Sequence, residues 1–163
     1  MRCLDLATLQ AFLSARYECR LASMWLPLHL DAPNPALPAR VTAAAAGWAL
    51  LSASCPHSRP WPARLNARRH QQLGAQLRRR GLFMLAARGC DPVGNWEEAS
   101  WWVAAPALAS IDALAQRYSQ HAVLVGQGDA PARLRGYSRL GAVPAGWQLS
   151  AGDPSGPWEL SRV

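Results

Sequence analysis

With 163 residues, 50% of them hydrophobic and 17% charged, the chain is long and apolar enough to bury the core of one globular domain. Its formal net charge of +7 favours acidic partners such as nucleic acid or an anionic membrane surface, although all 17 basic residues are arginine and alanine is abundant, a compositional bias that weakens the charge argument. No stretch reaches the roughly 18 apolar residues of a spanning helix, Asp5 and Gln10 interrupt the run a secretory leader needs, and Cys3, Cys19, Cys55 and Cys90 lack the spacing of a disulfide framework.

The expectation is therefore a soluble, unprocessed, cytoplasmic chain with no membrane association. Leu4, Leu6, Leu9, Phe12 and Leu13 recur at helical spacing, with Ala7, Ala11 and Ala15 in support, and predict an amphipathic helix from about residue 4 to about residue 16. A strand follows near Tyr17 to Leu21, and the three prolines of "DAPNPALPAR" make a loop that closes an N-terminal helix and arm, residues 1–40. "GWALLSAS", residues 47–54, predicts a strand that stops at Cys55-Pro56. Pro62 is suited to open a helix running to Arg80, and Gly81 ends it. "LFMLAAR" reads as a second strand and "GCDPVGN" as a turn. "EASWWVAA" is a third strand, rich in residues that suit a pleated surface. Ile111, Leu114, Ala115 and Tyr118 share one side of a shorter helix over 109–119, and "HAVLVG" is a fourth strand. Residues 127–163 are rich in glycine and proline and read as an appendage, with an edge strand in "RLRGYSRL" and an irregular "AGDPSGPWEL".

Across residues 41–126 the order is β-α-β-β-α-β. This predicts an α+β class and the split βαβ, or ferredoxin-like, arrangement of helices on one antiparallel sheet, flanked by the N-terminal helix and the irregular tail. A right-handed first crossover and a hairpin between the second and third strands would bring three distant segments to one edge: "CPHSRP", "GCDPVGNWEE" and "YSQH".

Ala53, Pro56, Ser58 and Asn66 are followed by Gly89, Asp91, Pro92, Gly94, Trp96, Glu98 and Ser100, and then by Tyr118, Gln120 and Ala122. In this pattern the chain resembles the bacterial family DUF3293, from about Trp48 to about Gly126, with an echo in "FLSARYECRL". The family core has Thr-Ala-x-Asn-Pro-x-Ser where this chain has Ser52, Ala53, Ser54, Cys55, Pro56, His57 and Ser58, so Cys55 replaces the Asn. The resemblance implies a fold and a functional face but no activity.

On that face a binding or regulatory site is expected from Ser58, Asn66, Trp96, Glu98, Ser100 and Gln120. Asn66 and Gln120 would orient a polar ligand, Glu98 would accept hydrogen bonds and Trp96 would supply apolar area, for a small molecule or a protein partner. The plain structural alternative has Glu98 accepting backbone N–H bonds from the "CPHS" loop. A carboxylate beside an indole also has a raised pKa, which suits a general base and gives an enzyme as a second alternative. A nucleic-acid-binding module using Arg64, Arg68 and Arg69 on the helix 62–80 is the third, although Gln72 and Ala75 interrupt the basic stripe and Arg78 to Arg80 suit a helix C-terminus without any ligand. Neither cofactor nor metal is expected, because Cys55, His57, Cys90 and His121 are zinc-compatible in type but match no zinc spacing. Trp101 and Trp102 should point to opposite faces of their strand, one into the helix-covered core and the other under the arm or the tail.

Overall fold

A computed structural model describes residues 3–34, 47–150 and 156–163. The first elements are β1 (Cys3–Leu4), α1 (Leu6–Ser14), β2 (Arg16–Leu21) and β3 (Met24–Leu28). Asp5 caps α1 by accepting from the Thr8 N–H at 2.7 Å and the Thr8 hydroxyl at 3.0 Å, which sets the helix start just inside the predicted range. Then come β4 (Gly47–Ser52), a 3-10 turn at Pro56–Ser58 and α2 (Ala63–Arg79), where Pro62 is the cap and Gly81, at φ +69°, turns the chain out of the helix. They are followed by β5 (Met84–Cys90), β6 (Glu97–Ala104), α3 (Leu108–Arg117) and β7 (Ala122–Gln127). The last stretch supplies β8 (Arg133–Gly136), β9 (Arg139–Leu140), β10 (Trp147–Ser150) and β11 (Trp158–Arg162).

The architecture is α+β, with one large antiparallel sheet of nine strands in the order β10-β11-β8-β7-β4-β6-β5-β2-β3, plus a parallel pair of β1 with β9. Two features differ from the sequence expectation. The N-terminal arm extends the sheet past β5, through β2 and β3. The tail, expected to be irregular with "RLRGYSRL" as an edge strand, extends it past β7, so β8 is an inner strand and β10 the edge. In β11, Trp158 and Leu160 alternate inward behind a Gly/Pro-rich approach that masks the strand period, and Leu160 is fully buried. At the other margin Pro27 sits in β3, where an edge strand tolerates the missing donor. Most of "DAPNPALPAR" lies outside the described residues, as does the start of "AGDPSGPWEL".

Strand alternation divides the core in two. On one face Ala49, Leu51, Val103, Val123 and Val125 pack against Leu73 and Leu77 of α2 and Ile111 and Leu114 of α3. On the other, Trp48, Leu50, Trp102, Leu124, Leu134 and Leu160 are closed over by Leu9, Phe12 and Leu13 of α1, with Trp147 and Trp158 from the tail. Trp101 accordingly faces α2, stacked on His70 at 4.6 Å, while Trp102 is fully buried beneath α1 and the tail. The tail is also pinned by ions. Arg135 grips Asp112 of α3 through two bonds of 2.8 Å and Glu159 of β11 through one of 2.7 Å, and the Tyr137 hydroxyl donates to Asp112 at 2.9 Å.

Cys19, Cys55 and Cys90 are free thiols. Among the described residues no helix is long and apolar enough to cross a membrane.

Candidate functional site

Ser52 pairs with Ser100 in the β4–β6 ladder, which puts the exit of β4, the entry of β6 and the β5–β6 turn at one end of the sheet. The loop leaving β4 is held in an unusual conformation. Cys55, His57 and Ser58 have φ of 42°, 53° and 55°, and Ser119 at the exit of α3 has 56°. A left-handed non-glycine residue costs roughly 1–2 kcal/mol, so the loop persists because its surroundings over-determine it.

Those surroundings come mainly from α2. Asn66 Oδ1 accepts the Cys55 N–H at 3.0 Å, and Asn66 Nδ2 donates to the Trp61 carbonyl at 3.2 Å and to Cys55 Sγ at 3.5 Å. Arg69 donates to the Ala53 carbonyl at 2.6 Å and to the Tyr118 carbonyl at 2.7 Å. Its guanidinium lies about 5 Å from the rings of both Trp61 and Tyr118. His57 N–H donates to the Ser119 carbonyl at 2.8 Å, and Gln120 Nε2 to the Ser54 carbonyl at 2.8 Å. The β4 exit and the α3 exit are thereby tied into one rim.

The opposite rim is the β5–β6 turn. Asp91 Oδ1 accepts the N–H groups of Asn95 and Trp96, and Gly94 takes φ +81°, which is why the stretch needs Asp, Pro and Gly in that order. The turn lays Trp96 beside Gly89, where an added Cβ would meet Trp96 at 3.8 Å and Tyr17 at 3.4 Å.

Between the rims lies a cavity of about 380 Å³. Thr8, Ala11 and Phe12 of α1 cover it, Cys55, Ser58 and Pro60 form one wall, and Trp96, Glu97, Glu98, Gln120 and His121 form the rest. A smaller hollow of about 40 Å³ shares Phe12, Trp96, Glu98 and Gln120 and adds Tyr17, Ser52 and Ser100. Glu98 stands where the two meet. Its Oε1 accepts the Ser52 hydroxyl at 2.9 Å, while Oε2 accepts no bond among the described residues. Burial pushes the carboxyl from 4.5 up to about 7 against the downward pull of the Ser52 hydrogen bond. Tyr17, whose hydroxyl donates to the Phe12 carbonyl at 2.8 Å, is raised above its ordinary value by burial and then by the Glu98 charge. Glu97 belongs to the other face of β6, where Arg88 bonds it at 2.8 Å and Glu18 at 2.7 Å.

Of the six residues expected at the site, Ser58, Trp96, Glu98 and Gln120 line the larger cavity and Ser100 the smaller hollow. Asn66 lines neither, its amide being engaged by the Cys55 loop and Trp61. The expected bonds from "CPHS" N–H groups to Glu98 are replaced by one from the Ser52 side chain. Arg64 and Arg68 are exposed on α2, and Arg69 is turned inward to the clamp. His57 and His121 rings lie 5.5 Å apart, whereas Cys90 Sγ contacts Arg16; among the described residues no group of three or more His, Cys, Asp or Glu could hold a metal ion. Phe12, Thr8 and Ala11 escaped sequence reading because nothing local tells which sheet face an amphipathic helix will cover. Ser52 escaped because its link to Glu98 depends on strand register.

No curated protein and no solved structure matches the chain. The family model described as "Protein of unknown function (DUF3293)" matches residues 51–123, from the end of β4 to the start of β7. The stretch that matches the family model holds Cys55, Ser58, Trp96, Glu98 and Gln120 of the site just described, while the α1 cover, Tyr17 and the hollow's Leu50, Leu124 and Leu134 lie outside it.

Proposed function

We propose that the protein is a small-molecule-binding domain whose site is the cavity between α1, the Cys55–Ser58 loop and Trp96. The observation that carries this reading is the Glu98 carboxylate, which has a donor on only one oxygen among the described residues, at the meeting point of two hollows walled by Trp96 and Phe12. A concave, mostly apolar site with a few convergent polar groups is the usual form of a ligand pocket, and two left-handed residues in its wall, Cys55 and Ser58, are strain of a kind that clusters at such sites. The scaffold in this proposal is a ferredoxin-like unit, β4-α2-β5-β6-α3-β7, supported by the neighbour order β7-β4-β6-β5 and antiparallel pairing throughout. A cytoplasmic setting belongs to the same proposal and is supported by the three free thiols.

Native mass spectrometry of the full chain, beside a thermal-shift screen of neutral, cationic and anionic metabolites, tests the reading. Expected are a retained mass or an upward shift that the Trp96→Ala variant loses. Shifts of equal size in the parent and in Trp96→Ala would place binding elsewhere and overturn it.

A second reading, an enzyme with Glu98 as general base, is favoured by the carboxyl's titration near neutrality. Under it, Glu98→Gln keeps binding of a neutral ligand and abolishes its turnover.

A further inference from the structure

Resting on the binding-site reading above, we propose that the ligand is an organic ammonium ion, a protonated amine or quaternary ammonium on an apolar body, seated between the Glu98 carboxylate and the face of Trp96. The first support is charge. The chain carries 17 arginines and a net +7, yet the described residues that line the cavity include Glu98 and no arginine, and Glu97, which also borders it, turns its carboxylate to Arg88. With no guanidinium among the described residues of its lining and a carboxylate inside, the hollow disfavours phosphates and carboxylates.

The second support is what each glutamate already has. Glu97 is met by Arg88 on the opposite face of the strand. Glu98 has only the neutral Ser52 hydroxyl on Oε1, so its charge has no counter-ion and Oε2 no donor among the described residues. A ligand ammonium would supply both at once, whereas an alcohol would supply only the donor.

The third support is the wall. Trp96 is 39% exposed with its ring beside Gly89, and an indole face is the strongest cation-π partner among side chains. Phe12 and Pro60 offer apolar surface to the ligand body, and about 380 Å³ falls within the range of small-molecule sites. An inorganic cation fits less well, because no ligating group of three surrounds Glu98 among the described residues.

The proton balance follows. At pH 6 Glu98 is mostly protonated, so entry of the cation expels its proton to solvent and leaves a carboxylate–ammonium pair; at pH 8 the carboxyl is already ionised and no proton leaves. Tyr17 of β2, Glu97 with its partner Arg88, Cys55 and His57 of the loop and His121 after α3 are the other titratable or charged groups around it.

Titration calorimetry of the full chain with 2-phenylethylammonium, 2-phenylethanol and phenylacetate, at pH 6 and pH 8 in two buffers of different ionisation enthalpy, tests the charge directly. Expected are an ammonium affinity at least about tenfold above that of the alcohol, no detectable phenylacetate binding, and release of close to one proton at pH 6 but none at pH 8. Glu98→Gln should reduce ammonium affinity by about tenfold or more and leave the alcohol within about twofold. If the alcohol binds as well as the ammonium and both are lost in Trp96→Leu, the site stands and its cation selectivity is overturned. Ammonium binding indifferent to Glu98→Gln also overturns it. Failure of all three compounds to bind removes the site reading and the inference together.

Discussion

Ser52 and Glu98, 46 positions apart in sequence, are joined by a hydrogen bond of 2.9 Å. The same Ser52 hydroxyl lies 3.0 Å from the Ala99 carbonyl and accepts the Ser54 N–H at 3.0 Å. A hydroxyl has one proton, so it cannot donate fully to both oxygens. When Glu98 is neutral its own O–H can donate to Ser52, which frees the serine proton for Ala99; when Glu98 ionises, the serine proton turns to the carboxylate.

This relation sets a pH dependence of stability. The folded-state pKa of Glu98, about 7, lies above its ordinary 4.5, so its neutral form is favoured by folding. The contribution is complete below the unfolded pKa and is lost as pH rises to about 7, a change on the order of 3 kcal/mol at most. Glu98→Gln has no such proton to lose. Urea denaturation of both proteins at several pH values from 4.5 to 8 should show the variant gaining on the parent as pH rises. His70, lowered by burial, cancels in that difference. A flat difference would mean that the carboxyl is well solvated.

The left-handed Cys55 offers a second test. At φ 42° a cysteine bears a steric cost that Asn tolerates better, and Asn is the residue the DUF3293 resemblance places there. Cys55→Asn should raise stability by about 0.5–1 kcal/mol, read as a higher Tm. A drop of similar size would show that the Sγ contact with Asn66 outweighs the backbone term.

Arg69 is expected to separate from its helical neighbours. Arg69→Met leaves the Ala53 carbonyl without its side-chain donor and the Tyr118 carbonyl with only the longer bond of 3.3 Å from Gln120 Nε2, and should cost about 2–3 kcal/mol in chemical denaturation. Arg64→Ala and Arg68→Ala, both at exposed positions, should stay within about 0.5 kcal/mol of the parent. Equal effects at all three positions would contradict the clamp.

Gly126 faces Trp48 across the β4–β7 ladder, and a Cβ there would stand 2.1 Å from Trp48 Cε2. Trp48 is almost completely buried, so it has no room to yield. Gly126→Ala should cost about 3 kcal/mol, and combining it with Trp48→Leu should cost less than the sum of the two single changes. Strict additivity in equilibrium unfolding would rule the contact out.

The central elements were legible because their signals are local: the Pro62 start and Gly81 stop of the helix over 63–79, the turn chemistry of Asp91 and Gly94, and the alternation around Trp101 and Trp102. The outer strands were not. Pro27 and a continuous apolar run conceal β3, and the Gly/Pro-rich approach conceals β11, whose inward Leu160 gains meaning only once β8 lies beside it. At the site, Glu98 and Ser100 could be placed on one face by strand period alone. Asn66 was assigned a ligand because an amide at a helix start serves either a ligand or a loop, and only the position of Cys55 decides between them.

The parallel pairing of Cys3–Leu4 with Arg139–Leu140 has a bearing on biosynthesis. Cys3 and Leu4 leave the ribosome well before Arg139 and Leu140 and stay unpaired until those residues follow, and such distant pairings are the slowest to form. The helix that roofs Glu98 is tethered at its front by this late clasp. A nascent chain that has emitted residues up to the end of the family match therefore already carries the α1 cover but not yet the β9 strand that tethers it.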